Sequence, residues 1–187
     1  MLNRFYLTEQ EFEKRIHTHL QLFPCPRCGL YGRLILHGFL RTKSGIERGH
    51  RIFCSNRGHK RGCGKTCSCL QASVLMHKSI SAHDFWMFLF SHFQGHTKKY
   101  GLSLSILSFS SSTVYRLYRL FLCNLTHIRS FLARDGKPPP AGGTQQPSSH
   151  TIMHLAAFAQ KEVCPVIQFQ NQFQTDFFPF KVQPLPL

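Results

Sequence analysis

CPRCG (Cys25–Gly29) and CSNRGHKRGCGKT (Cys54–Thr66) are the two stretches that decide how this chain folds. A Cys-x-x-Cys turn puts both sulfurs on one side of a tight loop whose amides turn inward toward the thiolates. Tetrahedral zinc takes four such ligands, so Cys25 and Cys28 need a second pair. Cys54 and Cys63 supply it, and Gly64 follows Cys63 as Gly29 follows Cys28. The second pair has eight residues between its cysteines instead of two. His59, Cys67 and Cys69 therefore compete for the fourth position. Between the pairs, residues 33–40 (RLILHGFL) and 50–54 (HRIFC) read as short strands joined by a basic, Gly-containing turn. Two knuckles separated by strands make a zinc ribbon. A module this small has little core, and a metal supplies the missing stability. A thioredoxin-like use of Cys25 and Cys28 would need a βαβ unit around them, and none is visible.

Charge points the same module at a polyanion. The 187 residues carry 23 Lys or Arg against 8 Asp or Glu, a net charge of +15. Residues 25–69 hold Arg27, Arg33, Arg41, Lys43, Arg48, Arg51, Arg57, Lys60, Arg61 and Lys65 against Glu47 alone. Neutralising nucleic-acid phosphates calls for that concentration of cations. An ordinary solvated surface mixes both signs.

The wording CPRCG, LHGFLR, RIFC and GCGKT resembles the N-terminal zinc-ribbon region of insertion-sequence transposases and their small regulatory proteins. His37, Gly38 and Arg41 match that family's basic patch after the first strand. Cys63, Gly64, Lys65 and Thr66 match its second knuckle. The resemblance covers about 45 residues and implies zinc held by Cys25, Cys28, Cys54 and Cys63, with duplex DNA as the partner. It departs at the long loop SNRGHKRG, and at Cys67, which stands where the family has Phe and so reads as a core filler.

Outside the ribbon the pattern is helical. Residues 8–23 form an amphipathic helix, with Thr8 and Glu11 at capping-box spacing and Phe12, Ile16, Leu20 and Phe23 on one face. Ser81 and Asp84 repeat the cap before a run that is apolar on nearly every side. Helical stretches follow near 97–107, 111–122 and 124–134, and Gly136 serves as a stop. In SSTVYRLYRLFL (111–122), Val114, Leu117, Tyr118 and Phe121 share one face, while Ser112, Tyr115, Arg116 and Arg119 share the other. An apolar seat under an Arg/Tyr/Ser face suits a DNA groove. The Ser-x-Thr-Val-Tyr-Arg wording resembles the recognition helix of helix-turn-helix domains in transposases and resolvases. The plainer reading is an amphipathic core helix. His150 and His154 are spaced i, i+4, but no third ligand stands near them.

The expected fold class is α+β: a small zinc ribbon of short antiparallel strands, a mostly α-helical helix-turn-helix-like domain, and a poorly ordered C-terminal tail. The expected divisions are an N-terminal helix (1–24), the ribbon (25–70), the helical domain (79–136), a Pro/Gly/Ser linker (137–150), and a short helix with a Gln/Phe-rich tail (151–187). The expected nucleic-acid contacts are Arg41, Lys43, Arg57, Lys60, Arg61, Lys65, Tyr115, Arg116 and Arg119. The tail offers a homodimer or protein contact, and an interaction module is the rival to DNA binding.

No catalysis is expected. Two-metal DNA cutting needs clustered carboxylates, and after residue 135 only Glu162 and Asp176 remain. A zinc-activated water would need a His-x-Glu motif, which is absent. The N-terminus lacks the apolar core of a signal peptide, and the run Phe85–Phe93 is too short to span a bilayer. The expected location is cytoplasmic, nucleoid-associated in a prokaryote, with no membrane partner. Thiols in that compartment favour metal over disulfides.

Overall fold

The computed structural model describes residues 4–41, 45, 47–59, 61–75, 78, 80–103, 110–136 and 146–179. The chain is α+β, and it divides into two compact units, Met1–Val74 and Leu75–Leu187.

The first unit holds β1 (Arg4–Leu7), α1 (Glu9–Leu22), β2 (Leu34–Arg41), β3 (Glu47–Cys54) and β4 (Thr66–Gln71). The expected cap forms at the start of α1. The Thr8 amide donates to Glu11 Oε2 at 2.8 Å, and the Glu11 amide donates back to Thr8 Oγ1 at 3.3 Å. Phe12, Ile16 and Leu20 bury the predicted face of α1 in one core with Phe5, Leu34, Ile52, Cys67 and Cys69.

The strands run in the order β1-β4-β3-β2. The β2–β3 hairpin is antiparallel as expected; β4, a strand that the sequence reading did not name, pairs antiparallel with β3, and β1 lies parallel to β4, so the sheet is mixed. Register fixes the direction of every element. Leu34 pairs with Cys54 at one end of the hairpin, and Arg41 pairs with Glu47 at the other. Leu7 pairs with Gln71, away from the cysteine end. The helix α1 therefore starts at the far end and runs back, and its Gln21 carbonyl accepts from the Gly32 amide at 3.2 Å beside the first knuckle.

The second unit is helical: α2 (Ala82–Phe93), α3 (Lys98–Ser103), α4 (Ser111–Cys123), α5 (Leu125–Leu132), α6 (Pro147–Phe158) and α7 (Pro165–Phe173). The Ser81 cap forms, with the Asp84 amide donating to Ser81 Oγ at 3.0 Å. Gly136 ends the 3-10 turn after α5 with φ 70°. The α2 run is apolar on most sides because Phe85, Phe88 and Leu89 are all enclosed by a core rich in phenylalanine.

Two expectations change here. The linker reading of 137–150 fails at its end, because Pro147 opens α6 at a position where its missing amide hydrogen costs nothing; residues 137–145 lie outside the described residues. The stretch before residue 180, expected to be poorly ordered, is instead built into the core. Pro165 starts α7, Val166 and Phe169 bury, and the buried Gln170 accepts the Phe177 amide at 3.1 Å, holding Phe177 against Phe169. Phenylalanines spaced for a helix face bury more apolar area than a loose end would. Residues 180–187 lie outside the described residues. No helix among the described residues is long and apolar enough to cross a membrane.

Candidate metal centre and basic surface

The first knuckle is closed by its own backbone. The Gly29 amide donates to the Cys25 carbonyl at 2.8 Å, and the Cys25 amide donates to the Leu30 carbonyl at 2.9 Å. The turn needs a left-handed residue, and Gly29 supplies φ 73°. The second knuckle repeats these bonds. The Gly64 amide donates to the Cys54 carbonyl at 3.0 Å, the Cys54 amide donates to the Lys65 carbonyl at 2.9 Å, and Gly64 has φ 67°.

The long spacing between Cys54 and Cys63 is resolved by a pinch. The Gly62 amide donates to the Ser55 carbonyl at 2.9 Å, which draws the two ends of the insert together and sets Cys63 where a Cys-x-x-Cys turn would put it. In effect Ser55 and Gly62 are the two intervening residues. Only glycine fits at 62, since a Cβ there would lie 2.7 Å from Cys54 Sγ and overlap the Ser55 carbonyl.

The four sulfurs of Cys25, Cys28, Cys54 and Cys63 lie within 4.8 Å of one another. Cys25 Sγ and Cys63 Sγ are 3.8 Å apart, and Cys28 Sγ and Cys54 Sγ are 3.7 Å apart. A tetrahedron with metal–sulfur bonds of about 2.3 Å has edges of about 3.8 Å. The separations are too long for disulfides, and all eight cysteines are free. Donor type, number and spacing therefore fit a tetrahedral thiolate metal site. Four closed ligand positions leave no open one, so such a site is structural in character.

The thiols titrate unequally. A backbone hydrogen bond from Leu30, helped by the neighbouring thiols and opposed by desolvation, brings exposed Cys28 down to about 7. Burial pushes Cys54 up to about 12, aided by the other three thiols and opposed by the Cys63 amide at 3.3 Å. A bound cation would favour the thiolate at every position.

The competitors fall outside the group. Cys67 and Cys69 point into the apolar core, and burial raises each to about 12. His59 is exposed and is not a member of the cluster. His150 and His154 lie on α6, with His154 buried. Among the described residues no other set of three or more His, Cys, Asp or Glu side chains comes together in this way.

The structure separates the predicted basic residues. Arg57, Arg61 and Lys65 are exposed on the second knuckle. Arg41 caps the opposite end of β2, about 24 Å away along the strand, with its guanidinium 4.9 Å from the Phe39 ring centre. Lys43 and Lys60 lie outside the described residues. Two cations not among the expected contacts, Arg27 and Arg33, sit on or beside the first knuckle, and the Arg33 carbonyl accepts the Ser55 amide at 2.8 Å. Their positions within the CPRCG and YGR segments carried that signal.

Acids are thus confined to one end of the first unit, where Arg41 and Arg48 also lie. Arg27, Arg33, Arg57, Arg61 and Lys65 gather at the cysteine end. Glu9 and Glu11 in the first turn of α1, and Glu47 at the hairpin tip, mark the other end.

In the second unit α4 is two-sided at Leu117, Tyr118 and Phe121 as predicted, while the Val114 side chain lies outside the described residues. Leu117 is 4% exposed and Phe121 is buried, while Ser112, Tyr115 (63% exposed), Arg116 and Arg119 face outward. Tyr118 links α4 to α2 through ring contacts with Phe88 and His92, and the Lys98 ammonium lies 4.2 Å from its ring centre. Lys78 also belongs to this basic neighbourhood; burial first, then Arg116, pushes its pKa down. No protein-family model, curated protein or solved structure matches the chain.

Proposed function

We propose that this protein binds duplex DNA through a zinc-stabilised ribbon, as a recognition module or regulator of mobile-element type without a catalytic domain. Zinc is the metal of choice because four cysteines in a closed tetrahedral set favour a soft-ligand, redox-inert ion. Cys25, Cys28, Cys54 and Cys63 would hold it, and its chemistry there would be to lock the two knuckles together at the edge of the first unit's core.

The observation that carries the reading is the knuckle end of the first unit. Five cations crowd it with no described acid among them, whereas Glu9, Glu11 and Glu47 lie toward the other end beside Arg41 and Arg48. A phosphate backbone answers such a surface through counterion release. In this reading α4 adds a helix-turn-helix-like contact through Tyr115, Arg116 and Arg119.

A second reading, a protein-interaction module, draws on a different observation. Leu22, Leu30 and Tyr31 are 67%, 43% and 64% exposed around the Gln21–Gly32 contact, and three large apolar side chains together suit a protein partner. One experiment separates the two: metal content per chain, measured with a gel shift on generic duplex DNA. One zinc and a salt-sensitive shift support DNA binding. One zinc with no shift supports the interaction module.

A further inference from the structure

The two knuckles differ in one respect. The first goes directly from Cys25 through Pro26 and Arg27 to Cys28, whereas the second carries six inserted residues, 56–61, between Ser55 and Gly62, of which 56–59 and 61 are exposed. Every backbone bond that closes the first knuckle has its equivalent in the second, and none of those equivalents involves residues 56–61. The metal geometry therefore does not require the excursion.

The excursion is nonetheless set in place at its base. The Arg57 amide donates to Ser55 Oγ at 3.4 Å, and the Arg57 guanidinium lies 5.8 Å from the Phe53 ring centre. The Asn56 amide group packs against Gly64, where a Cβ would come within 2.7 Å of it. Asn56, Arg57, Gly58, His59 and Arg61 are all exposed. No acid occurs anywhere from Cys54 to Cys69. An insert that a metal site does not need, anchored at its root and charged only by cations, has the chemistry of a phosphate contact.

We propose that residues 56–61 are a DNA-contacting finger carried on the second knuckle, engaging the phosphate backbone of a duplex through Arg57, Lys60 and Arg61 while the metal centre closes independently beneath it. This rests on the DNA-binding reading above and adds a division of labour to it. The finger supplies affinity, and the four cysteines supply only its footing.

The test deletes residues 56–61 from the full chain, joining Ser55 to Gly62. The Gly62 amide already donates to the Ser55 carbonyl at 2.9 Å, so the two ends of the deletion meet, and joining them leaves Cys54 and Cys63 at Cys-x-x-Cys spacing. The deleted chain should keep one metal per molecule. Its affinity for generic duplex DNA should fall at least about tenfold near 0.1 M salt, and the slope of log affinity on log salt should become shallower by about 2 to 3. A full-length variant carrying Arg57→Gln, Lys60→Gln and Arg61→Gln should show the same loss without any change of chain length.

Loss of the metal from the deleted chain would overturn the independence of the two parts. Parental affinity and slope in either variant would overturn the finger itself. Absence of salt-dependent binding by the parent chain is a separate outcome, and it would remove the underlying DNA-binding reading along with the finger.

Discussion

Replacing Gly62 with alanine puts one methyl group where the second knuckle closes. The added Cβ would lie 2.7 Å from Cys54 Sγ, against an ordinary carbon contact of about 3.5–4.0 Å, and would also overlap the Ser55 carbonyl. The sulfur, or the Ser55–Gly62 pinch, must yield by about 1 Å. Metal–sulfur bonds tolerate only about 0.2 Å. Overpacking of this size costs about 1–3 kcal/mol, which corresponds to a loss of about 5- to 150-fold in metal affinity. Competition of the purified chain against a chromophoric chelator reads that loss directly. Gly38→Ala is the control, since a Cβ at Gly38 meets nothing within 4 Å. Parental metal affinity for Gly62→Ala would refute the claim that the Ser55–Gly62 pinch forms the second knuckle.

Cys28→Ser should abolish metal binding and melt the first unit, whereas Cys67→Ser should keep the metal and lose only stability; metal analysis with thermal melting reads both, and the reverse pattern would show the ligand set to be wrong. His127 is held by burial below the usual histidine range, although its Nε2 contact with the Asp176 carbonyl at 3.0 Å opposes this. Its neutral form is therefore the folded one, and its contribution is full above about pH 6.5 and lost as pH falls through the lower folded value. The melting temperature of the parent should accordingly drop more between about pH 7.5 and 5.5 than that of His127→Gln, and equal slopes would remove the effect. Leu117→Ala should cost roughly 2–5 kcal/mol of stability by emptying a buried site. Arg116→Ala and Arg119→Ala should instead leave melting intact and weaken DNA, the first by about 1–3 kcal/mol on a preferred site; unchanged DNA affinity in both would make α4 purely structural.

Local chemistry was legible in the sequence. The caps at Thr8 and Ser81, the buried face of α1, the β2–β3 hairpin and the two faces of α4 each follow from spacings within a dozen residues. The four cysteines were legible as well, because Gly64 after Cys63 mirrors Gly29 after Cys28. The pinch was hidden, because a hydrogen bond from Gly62 to Ser55 across six inserted residues leaves no periodic trace. The strand β1 was missed for a related reason. Four residues, RFYL, gain a partner only from β4, more than fifty positions later, and no short window contains that pairing. The separation of Arg41 from Arg57 was equally invisible, since counting charges in a segment ignores the length of the hairpin between them. The tail misled because alternating Gln and Phe look like a strand or loose end. Pro165 and the spacing of Val166, Phe169 and Phe173 were the helical signal, and the helix forms because a phenylalanine-rich core is waiting for that face.

A metal-braced surface that binds nucleic acid is tested most directly by the affinity of the full chain for labelled duplex DNA across about 50 to 200 mM salt, taken with zinc bound and again after chelation. Five knuckle cations predict a log–log slope near −4 to −5 with zinc present, and loss of that binding once the metal is removed. A zinc-loaded chain whose DNA binding is indifferent to salt, or one that binds equally well after chelation, would contradict it.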